Sequence, residues 1–239
     1  MVVLADREIP SKELLLAALA GQNINALESR QGVVSFLLDT IQINCGLVAA
    51  PIPKGELKGP LTTSPYWKED DQKVLAHKAH LIVAASGEVE KKVLALVLTK
   101  AISGVLKSTA TSVAVYWGAG SVVTQKDIFC CFADSATIDQ LPLYLWIDFR
   151  CHRSGDVVAL FTNGMKSFGL MEIEISRSTY SAKETVGTAF NIAHYLLDFG
   201  PVLKNGDTIG LSAEQKLKIT HTNSNYDRDE IIYHLDLER

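Results

Sequence analysis

The chain has 239 residues, of which 47% are hydrophobic and 21% are charged, and its formal net charge is -4. A chain of this length and composition can bury a sizeable core, as one large domain or as two of modest size, which excludes disorder over most of it. No Lys/Arg-rich run accompanies the acidic balance. Because nucleic acids and anionic membranes bind clustered basic side chains, neither is an expected partner.

The sequence predicts neither a membrane span nor a secretion signal. Asp6, Arg7 and Glu8 stand where a signal peptide would carry its apolar core. The most apolar long stretch, residues 89–106, includes charged side chains such as Lys100, which are costly at membrane depth. We therefore expect a cytoplasmic protein in which this stretch forms a buried amphipathic helix.

The cysteines and glycines predict no metal site and no cofactor. The four cysteines, Cys45, Cys130, Cys131 and Cys151, form no CxxC pair and have no histidine at metal-ligand spacing. Free thiols are the expectation for a cytoplasmic chain. Residues 206–210 hold two glycines but lack the lysine and the following helix of a phosphate-binding loop.

Periodicity and turn residues predict the elements of the first half. Ser11 can cap a first helix that ends near Gly21. Residues 54–73 contain glycines, prolines and an acidic run, which are typical of a long surface connection. Residues 89–106 show helical periodicity. The apolar and β-branched runs predict strands at 33–38, 41–50, 79–85 and 113–117.

The second half repeats this order of elements. Alternating or β-branched runs predict strands at 143–151, 157–162, 170–176 and 217–221. Ser181 and Glu184 have the spacing of a capping box, and they open a helix that Gly200 ends. The apolar residues of this helix predict one inner face, made of Val186, Phe190, Ala193 and Leu197. Asn205 and Gly206 predict a tight turn before the last strand.

These elements favour an α+β fold with largely antiparallel sheets and long helices packed on one face, since most strands are joined by short connections. We expect an N-terminal half, residues 1–127, and a C-terminal half, residues 128–239. Both can be written as β-β-β-α-β, so an internal duplication is one hypothesis, and a single compact unit is the alternative.

Three groups of residues carry a family resemblance. They are 77–83 together with 115–118, then 162–174, and finally 200–210. These segments resemble the bacterial family known as domain of unknown function 4261, and the similarity extends over roughly residues 75–221. The ordered Gly, Asp and Glu positions of the second and third segments are its specific part.

The resemblance implies a cytoplasmic bacterial protein, with some relatives associated with secreted-toxin and immunity gene clusters. It implies no catalytic residue. The chain departs from the family pattern at Asn163, where leucine is common, and asparagine tolerates left-handed backbone geometry better than leucine does.

Five polar residues are candidates for a cleft: His77, His80, Glu172, Glu174 and Asp207. Two histidines three apart on a strand point to opposite faces, so we expect one to pack and the other to be solvated. Glu172 and Glu174 share a strand face, where paired carboxylates could divide acid and base roles. The same alternation is typical of a half-buried strand whose outer face is in water.

Two surfaces are candidates for binding a protein partner. One is the acidic run Glu69, Asp70 and Asp71. The other is the loop that carries Met165 and Phe168 between two glycines, which predicts a hairpin-like turn with an exposed apolar tip.

The functional hypothesis is a non-enzymatic protein-binding module, such as an immunity protein that neutralises a cognate toxin of a secretion-system gene cluster. No nucleophile elbow, HExxH motif or kinase motif is present, so no catalytic residue is named. One alternative is an enzyme or ligand-binding domain with a polar cleft between the halves. Another is a homo-oligomeric structural protein whose strand edges pair.

Overall fold

The computed structural model describes residues 1–210, 216–226 and 228–237. Its contacts divide the chain into two compact units, Met1–Trp146 and Ile147–Arg239. The sequence placed this division earlier, between residues 127 and 128. The difference arises because the helix at Lys126–Ser135 packs against the helix at Lys91–Lys107 and so stays with the first unit.

The first unit is built on one antiparallel sheet of seven strands in the order β2-β3-β4-β5-β1-β6-β7. Its strands are β1 (Val2–Leu4), β2 (Ile24–Arg30), β3 (Val33–Leu38), β4 (Ile41–Val48), β5 (Ala79–Ser86), β6 (Ser112–Trp117) and β7 (Val122–Gln125). Its helices are α1 (Lys12–Ala18), α2 (Lys54–Thr63), α3 (Gln72–Leu75), α4 (Lys91–Lys107), α5 (Lys126–Ser135) and α6 (Leu143–Trp146).

Helices cover both faces of this sheet. The long helix α4 packs over β4 and β5, where Ile43 and Cys45 are buried. Side chains alternate along a strand, and Val3, Ala114 and Tyr116 on the other face form a cluster with residues of α2 and α3. The expectation of long helices on one face is not confirmed in this unit, because the shorter helices α2 and α3 cover the face opposite α4.

The predicted surface connection at residues 54–73 is wrong. This segment contains α2 and the approach to α3, and it buries Leu57, Leu61 and Trp67. Its glycines and prolines favour a loop locally, but burial of three large apolar side chains against the sheet outweighs that preference.

The second unit has a five-stranded sheet in the order β13-β14-β10-β9-β8 and a separate two-stranded ribbon, β11-β12. Its strands are β8 (Asp148–Ser154), β9 (Val157–Asn163), β10 (Ile173–Ser178), β11 (Thr208–Gly210), β12 (Lys216–Lys218), β13 (Thr220–Asn223) and β14 (Ile231–Leu237). Helix α7 (Ala182–Phe199) packs on β8, β9 and β10. β10 and β14 are parallel and the other pairs are antiparallel.

The predicted strand at 143–151 begins with a helix instead. Leu143, Leu145 and Trp146 are all buried in α6, so the alternation does not separate an inner from an outer face there. Trp146 donates its indole N–H to Thr99 Oγ1 at 2.8 Å, which fixes the ring in the core of the first unit. Only from Asp148 onward does the chain form the strand.

Both units contain three antiparallel strands, a long helix and a later strand that runs parallel to the last of the three. β6 follows α4 directly, whereas β11, β12 and β13 come between α7 and β14. In the second unit β10 and β14 are direct neighbours. In the first unit β1 lies between β5 and β6. The first unit has the β-β-β-α-β order from β3 to β6, the second unit has additional strands before its parallel strand, and the internal duplication stays a prediction.

Two helical glycines should respond oppositely to alanine. A Cβ at Gly104 in α4 would lie 2.6 Å from Leu19 Cγ, and Leu19 is buried. A Cβ at Gly187 in α7 would meet no atom within 4 Å. We expect Gly187→Ala to raise the free energy of unfolding by about 0.5–1 kcal/mol. Gly104→Ala should lower it, because overpacking costs about 1–3 kcal/mol. Urea unfolding of both variants checks this; equal stabilisation by both would contradict the close α1–α4 contact.

No described helix is both long and apolar enough to cross a membrane.

Candidate binding surface of the second unit

Glu172 is buried and holds the loop between β9 and β10. Its Oε1 accepts the backbone N–H groups of Gly164 at 2.9 Å and Lys166 at 3.1 Å. Its Oε2 accepts the hydroxyl of Thr162 at 2.7 Å. One carboxylate therefore satisfies three donors in a loop whose Gly164 has φ +129°. This explains why a glycine and a glutamate stand eight residues apart in the second family segment.

Glu174 on β10 holds a second loop in the same way. One of its oxygens accepts a hydrogen bond from the Ser224 hydroxyl, and the other accepts the Asn225 backbone N–H at 3.0 Å. The side chain is completely buried. Buried carboxylates are stabilised by such charge-assisted bonds, and both glutamates therefore have structural partners.

The interpretation of these glutamates as the wet outer face of a half-buried strand is wrong, since both are buried. The strand does have two faces, but residues 224–226 and 228–230 fold back over the face that carries Glu174. Alternation within β10 could not reveal this cover, because the covering residues lie about fifty positions later in the sequence.

A row of side chains crosses this face of the sheet through all five strands. The pairing register aligns Arg150, Phe161, Glu174, His234 and Thr220. The row is polar apart from Phe161. The opposite face of the sheet is packed against α7, so the sheet has one polar face and one face that lies on an apolar core.

Two arginine side chains on this face pack against the ring of Phe161. The guanidinium of Arg228 lies 4.5 Å from the ring centroid and that of Arg150 lies 5.4 Å from it. The Tyr226 ring packs at 4.4 Å on the same side chain. Arg228 also donates to the Thr162 carbonyl at 3.0 Å and pairs with Glu230. These contacts attach Tyr226 and Arg228 to the sheet.

Asp148 adds a buried ion pair at the start of β8. Its Oδ2 accepts from Arg150 Nη2 at 2.6 Å and from Nε at 3.0 Å. Burial raises the pKa of the Asp148 carboxyl, and the charges of Arg150 and Arg228 oppose that rise. Because burial outweighs the two cations, the charge of Asp148 is less favourable in the folded chain than in water, and the ion pair orients Arg150 at a cost in desolvation.

His77 and His80 lie in the first unit, apart from the glutamates in sequence and in unit. His77 follows α3, and its Nε2 accepts the Ile52 backbone N–H at 2.7 Å while its Nδ1 lies 2.5 Å from the Val74 carbonyl. His80 on β5 is also buried, with Nδ1 2.9 Å from the Ala50 carbonyl. The expectation that one of the two is solvated is therefore wrong. Among the described residues, no group of three His, Cys, Asp or Glu side chains could hold a metal ion.

Asp207 follows the predicted turn at Asn205 and Gly206, which is present. Its carboxylate accepts the Lys204 backbone N–H at 2.8 Å. Asp207 therefore fixes its own turn, because its side chain accepts a backbone N–H three residues earlier in the chain.

Of the two predicted partner surfaces, the acidic run at 69–71 is exposed, whereas the loop buries Met165. Asp71 accepts the indole N–H of Trp67 at 2.8 Å, Asp70 accepts the Gln72 backbone N–H at 2.9 Å, and Glu69 pairs with Lys73. Met165 is fully buried, so the exposed apolar tip predicted there is wrong at this residue.

Phe168 closes the same loop and is half-buried. The loop forms one 3-10 turn between Gly164 and Gly169, and the latter has a left-handed φ of +80°. The glycines therefore serve the tight geometry that Glu172 holds in place.

A groove runs between α7 and β11. It has a volume of about 370 Å³, at the lower end of the roughly 300–1,000 Å³ typical of ligand pockets. Its lining residues are Thr188, Asn191, Ile192, Tyr195, Leu203, Thr208, Ile209 and Gly210. We call this feature the α7–β11 groove.

Apolar side chains are exposed beside the groove. Phe199 is 64% exposed, and Tyr195 and Val202 are each 43% exposed. The rings of Tyr195 and Phe199 lie 4.8 Å apart. We call these three residues the α7 patch. Sequence periodicity assigned the inner face of this helix correctly, but nothing in the sequence showed that its outer end would stay uncovered.

A comparison with known protein families found a match in the second unit. The model of the family described as a domain of unknown function (DUF4261) matches residues 161–232. The predicted family resemblance is confirmed there. The matched segment includes both loop-holding glutamates, α7 and the α7–β11 groove. No curated protein and no solved structure gave a significant match to the chain.

Proposed function

We propose that this chain is a protein-binding module that contacts its partner through the α7 patch. The observation that carries the proposal is the pair of exposed aromatic rings, Tyr195 and Phe199, which contact each other with tilted planes beside a groove. Exposed apolar side chains scattered singly are ordinary, whereas grouped ones mark interaction sites. Aromatic residues are also enriched at the energetic centres of protein interfaces.

The polar residues that the sequence offered as cleft candidates support this proposal, because their side chains bind groups of their own chain. Glu172, Glu174 and Asp207 each accept backbone N–H groups of their own chain, and His77 has partners for both ring nitrogens. These contacts give the polar candidates roles in the folded structure, and none of them indicates a chemical reaction. A cognate toxin, the partner predicted from the family resemblance, belongs to the class of protein partners that the proposal covers.

The proposal predicts that Phe199→Ser abolishes capture of a partner. Tagged wild type, Phe199→Ser and Ile138→Ser would be used as baits in extracts of cells that naturally express the protein. Ile138 is 43% exposed in the first unit and serves as the matched control. We expect a partner that wild type and Ile138→Ser retain and that Phe199→Ser loses.

Calorimetry with the purified partner then measures the effect. Removal of an interface aromatic should weaken binding at least about tenfold, because such residues contribute about 2 kcal/mol or more. Circular dichroism of each variant tests whether it is folded. Equal affinity of the three proteins for the same partner would contradict the proposal.

The homo-oligomer hypothesis makes a different prediction for the same variant. If the α7 patch joins two copies of this chain, wild type sediments as a dimer and Phe199→Ser as a monomer. Sedimentation equilibrium at several concentrations distinguishes this outcome from binding of a different protein.

A further inference from the structure

The α7–β11 groove has a strand edge as one wall. Three consecutive residues of β11, Thr208, Ile209 and Gly210, line it. Side chains of successive strand residues point to opposite faces, so three in a row cannot all reach the groove through their side chains. The backbone edge of β11 therefore borders the groove, opposite α7.

The start of the ribbon determines which backbone groups face outward. Gly206 donates its N–H to the Ile219 carbonyl at 2.8 Å, and Ile219 donates its N–H to the Asp207 carbonyl at 2.8 Å. With Gly206 at φ +93°, this is the pattern of a G1 bulge. Bonded pairs alternate in an antiparallel ladder, so the next bonded pair is Ile209 with Leu217. The N–H and C=O groups of Thr208 and Gly210 consequently point away from β12.

Within the residues that the structure describes, β11 pairs with β12 and with no other strand. An outward-facing edge is a template for an additional strand. Peptide-binding domains use such an edge for backbone hydrogen bonds and an adjoining pocket for side-chain specificity.

We propose that an extended segment of the partner binds in the α7–β11 groove as a strand added to the edge of β11. This inference rests on the proposed protein-binding function and specifies its mode. Ile192, Leu203 and Ile209 supply an apolar floor, which suits one large apolar side chain of the segment. The α7 patch extends this apolar surface at the end of the helix.

The charges near the groove indicate which residues should flank the large apolar side chain in the bound segment. Lys204, Lys216 and Lys218 are exposed around the ribbon. The adjacent acid, Asp207, accepts a backbone N–H from its own turn. Among the described residues 204–210 and 216–218, three lysines accompany one acid, and this excess of positive charge is complementary to acidic residues that flank the apolar anchor.

The probe for this mode is a phage-displayed library of random 12-residue peptides, selected against the full chain. Enriched peptides are synthesised, and their affinities are measured by fluorescence anisotropy for wild type, Thr208→Pro, Thr208→Val and Phe199→Ser. Proline removes the outward N–H of Thr208 and leaves the Ile209–Leu217 pair in place, and proline is tolerated at such edge positions. Valine keeps the N–H and the branched shape.

We expect enriched peptides with an apolar residue flanked by Asp or Glu. Their affinity should fall about tenfold in Thr208→Pro and change less than about twofold in Thr208→Val. Circular dichroism must show that Thr208→Pro is folded; if it is not, Lys216→Glu/Lys218→Glu replaces it, and we expect weaker binding with a smaller salt dependence.

The possible outcomes distinguish a failure of strand addition from a failure of the proposed protein-binding function. Peptides or a captured partner that lose affinity in Phe199→Ser but not in Thr208→Pro would overturn strand addition and leave the protein-binding proposal intact. A library that yields no peptide dependent on Thr208 likewise overturns strand addition. Binding that is unchanged in both variants overturns the inference and the proposed function together.

Discussion

Replacing Glu172 by alanine is expected to destabilise the second unit by about 3–5 kcal/mol. The substitution leaves the buried N–H of Gly164 and the Thr162 hydroxyl without their acceptor, and an unsatisfied buried donor costs about 1–3 kcal/mol. Urea unfolding followed by far-ultraviolet circular dichroism measures the loss. Trp67, Trp117 and Trp146, the three tryptophans of the chain, all belong to the first unit, so tryptophan fluorescence should change little.

Glu172→Gln is the matched control. Its amide oxygen can still accept the two backbone N–H groups, and its amide nitrogen can donate to Thr162 Oγ1. Because a neutral acceptor forms weaker hydrogen bonds than a carboxylate, we expect a loss of only about 1–2 kcal/mol. Hydrogen exchange at the Gly164 amide should accelerate strongly in the alanine variant and slightly in the glutamine variant. An alanine variant as stable as wild type would show that Glu172 does not hold this loop.

Replacing His77 by leucine is expected to destabilise the first unit by about 2–4 kcal/mol at pH 7.5. The buried Ile52 N–H loses its acceptor, and the Val74 carbonyl loses the Nδ1–H donor. Since the tryptophans lie in this unit, urea unfolding followed by tryptophan fluorescence measures the change directly.

The same variant should have a weaker dependence of stability on acid. Burial lowers the pKa of His77, and the neighbouring His80 lowers it further, while the bond to the Val74 carbonyl acts in the opposite direction. The folded state therefore binds fewer protons than the unfolded state below pH about 6.5. The contribution of neutral His77 is complete above that pH and is lost as the pH falls toward the lowered pKa.

Wild type should thus lose more stability than His77→Leu between pH 7.5 and pH 5.5. His152 is exposed on β8 of the second unit, so His152→Leu should follow the wild-type profile. Parallel pH profiles of wild type and His77→Leu would contradict the assignment of a neutral, doubly bonded His77.

The elements that the sequence predicted correctly are those with local signals. Ser181 and Glu184 form the predicted capping box, and Ser11 caps α1 through the Leu14 N–H. The long helix α4 follows its apolar periodicity. The capping and turn signals depend on residues a few positions apart, and the helical periodicity repeats along one segment, so one-dimensional patterns contain all the required information.

Elements with distant partners were missed. Residues 54–73 contain α2 and are held against the sheet because Leu57, Leu61 and Trp67 pack on a face built from β1, β6 and β7. β1 itself is three residues long and exists because β5 and β6 flank it. A short strand has too few residues to show a period, and its stability comes from its neighbours.

The features of the candidate site also divide into those with a local sequence signal and those that depend on distant partners. The sequence by itself determined that Glu172 and Glu174 belong to a glycine-bounded segment with family resemblance, that Asn205 and Gly206 turn the chain, and that α7 has an apolar inner face. Only the tertiary structure decided that both glutamates are buried and that the edge of β11 borders a groove. The reason is that burial and free edges depend on which distant backbone groups arrive beside a residue, and a carboxylate or a strand edge has the same sequence whether a loop covers it or not.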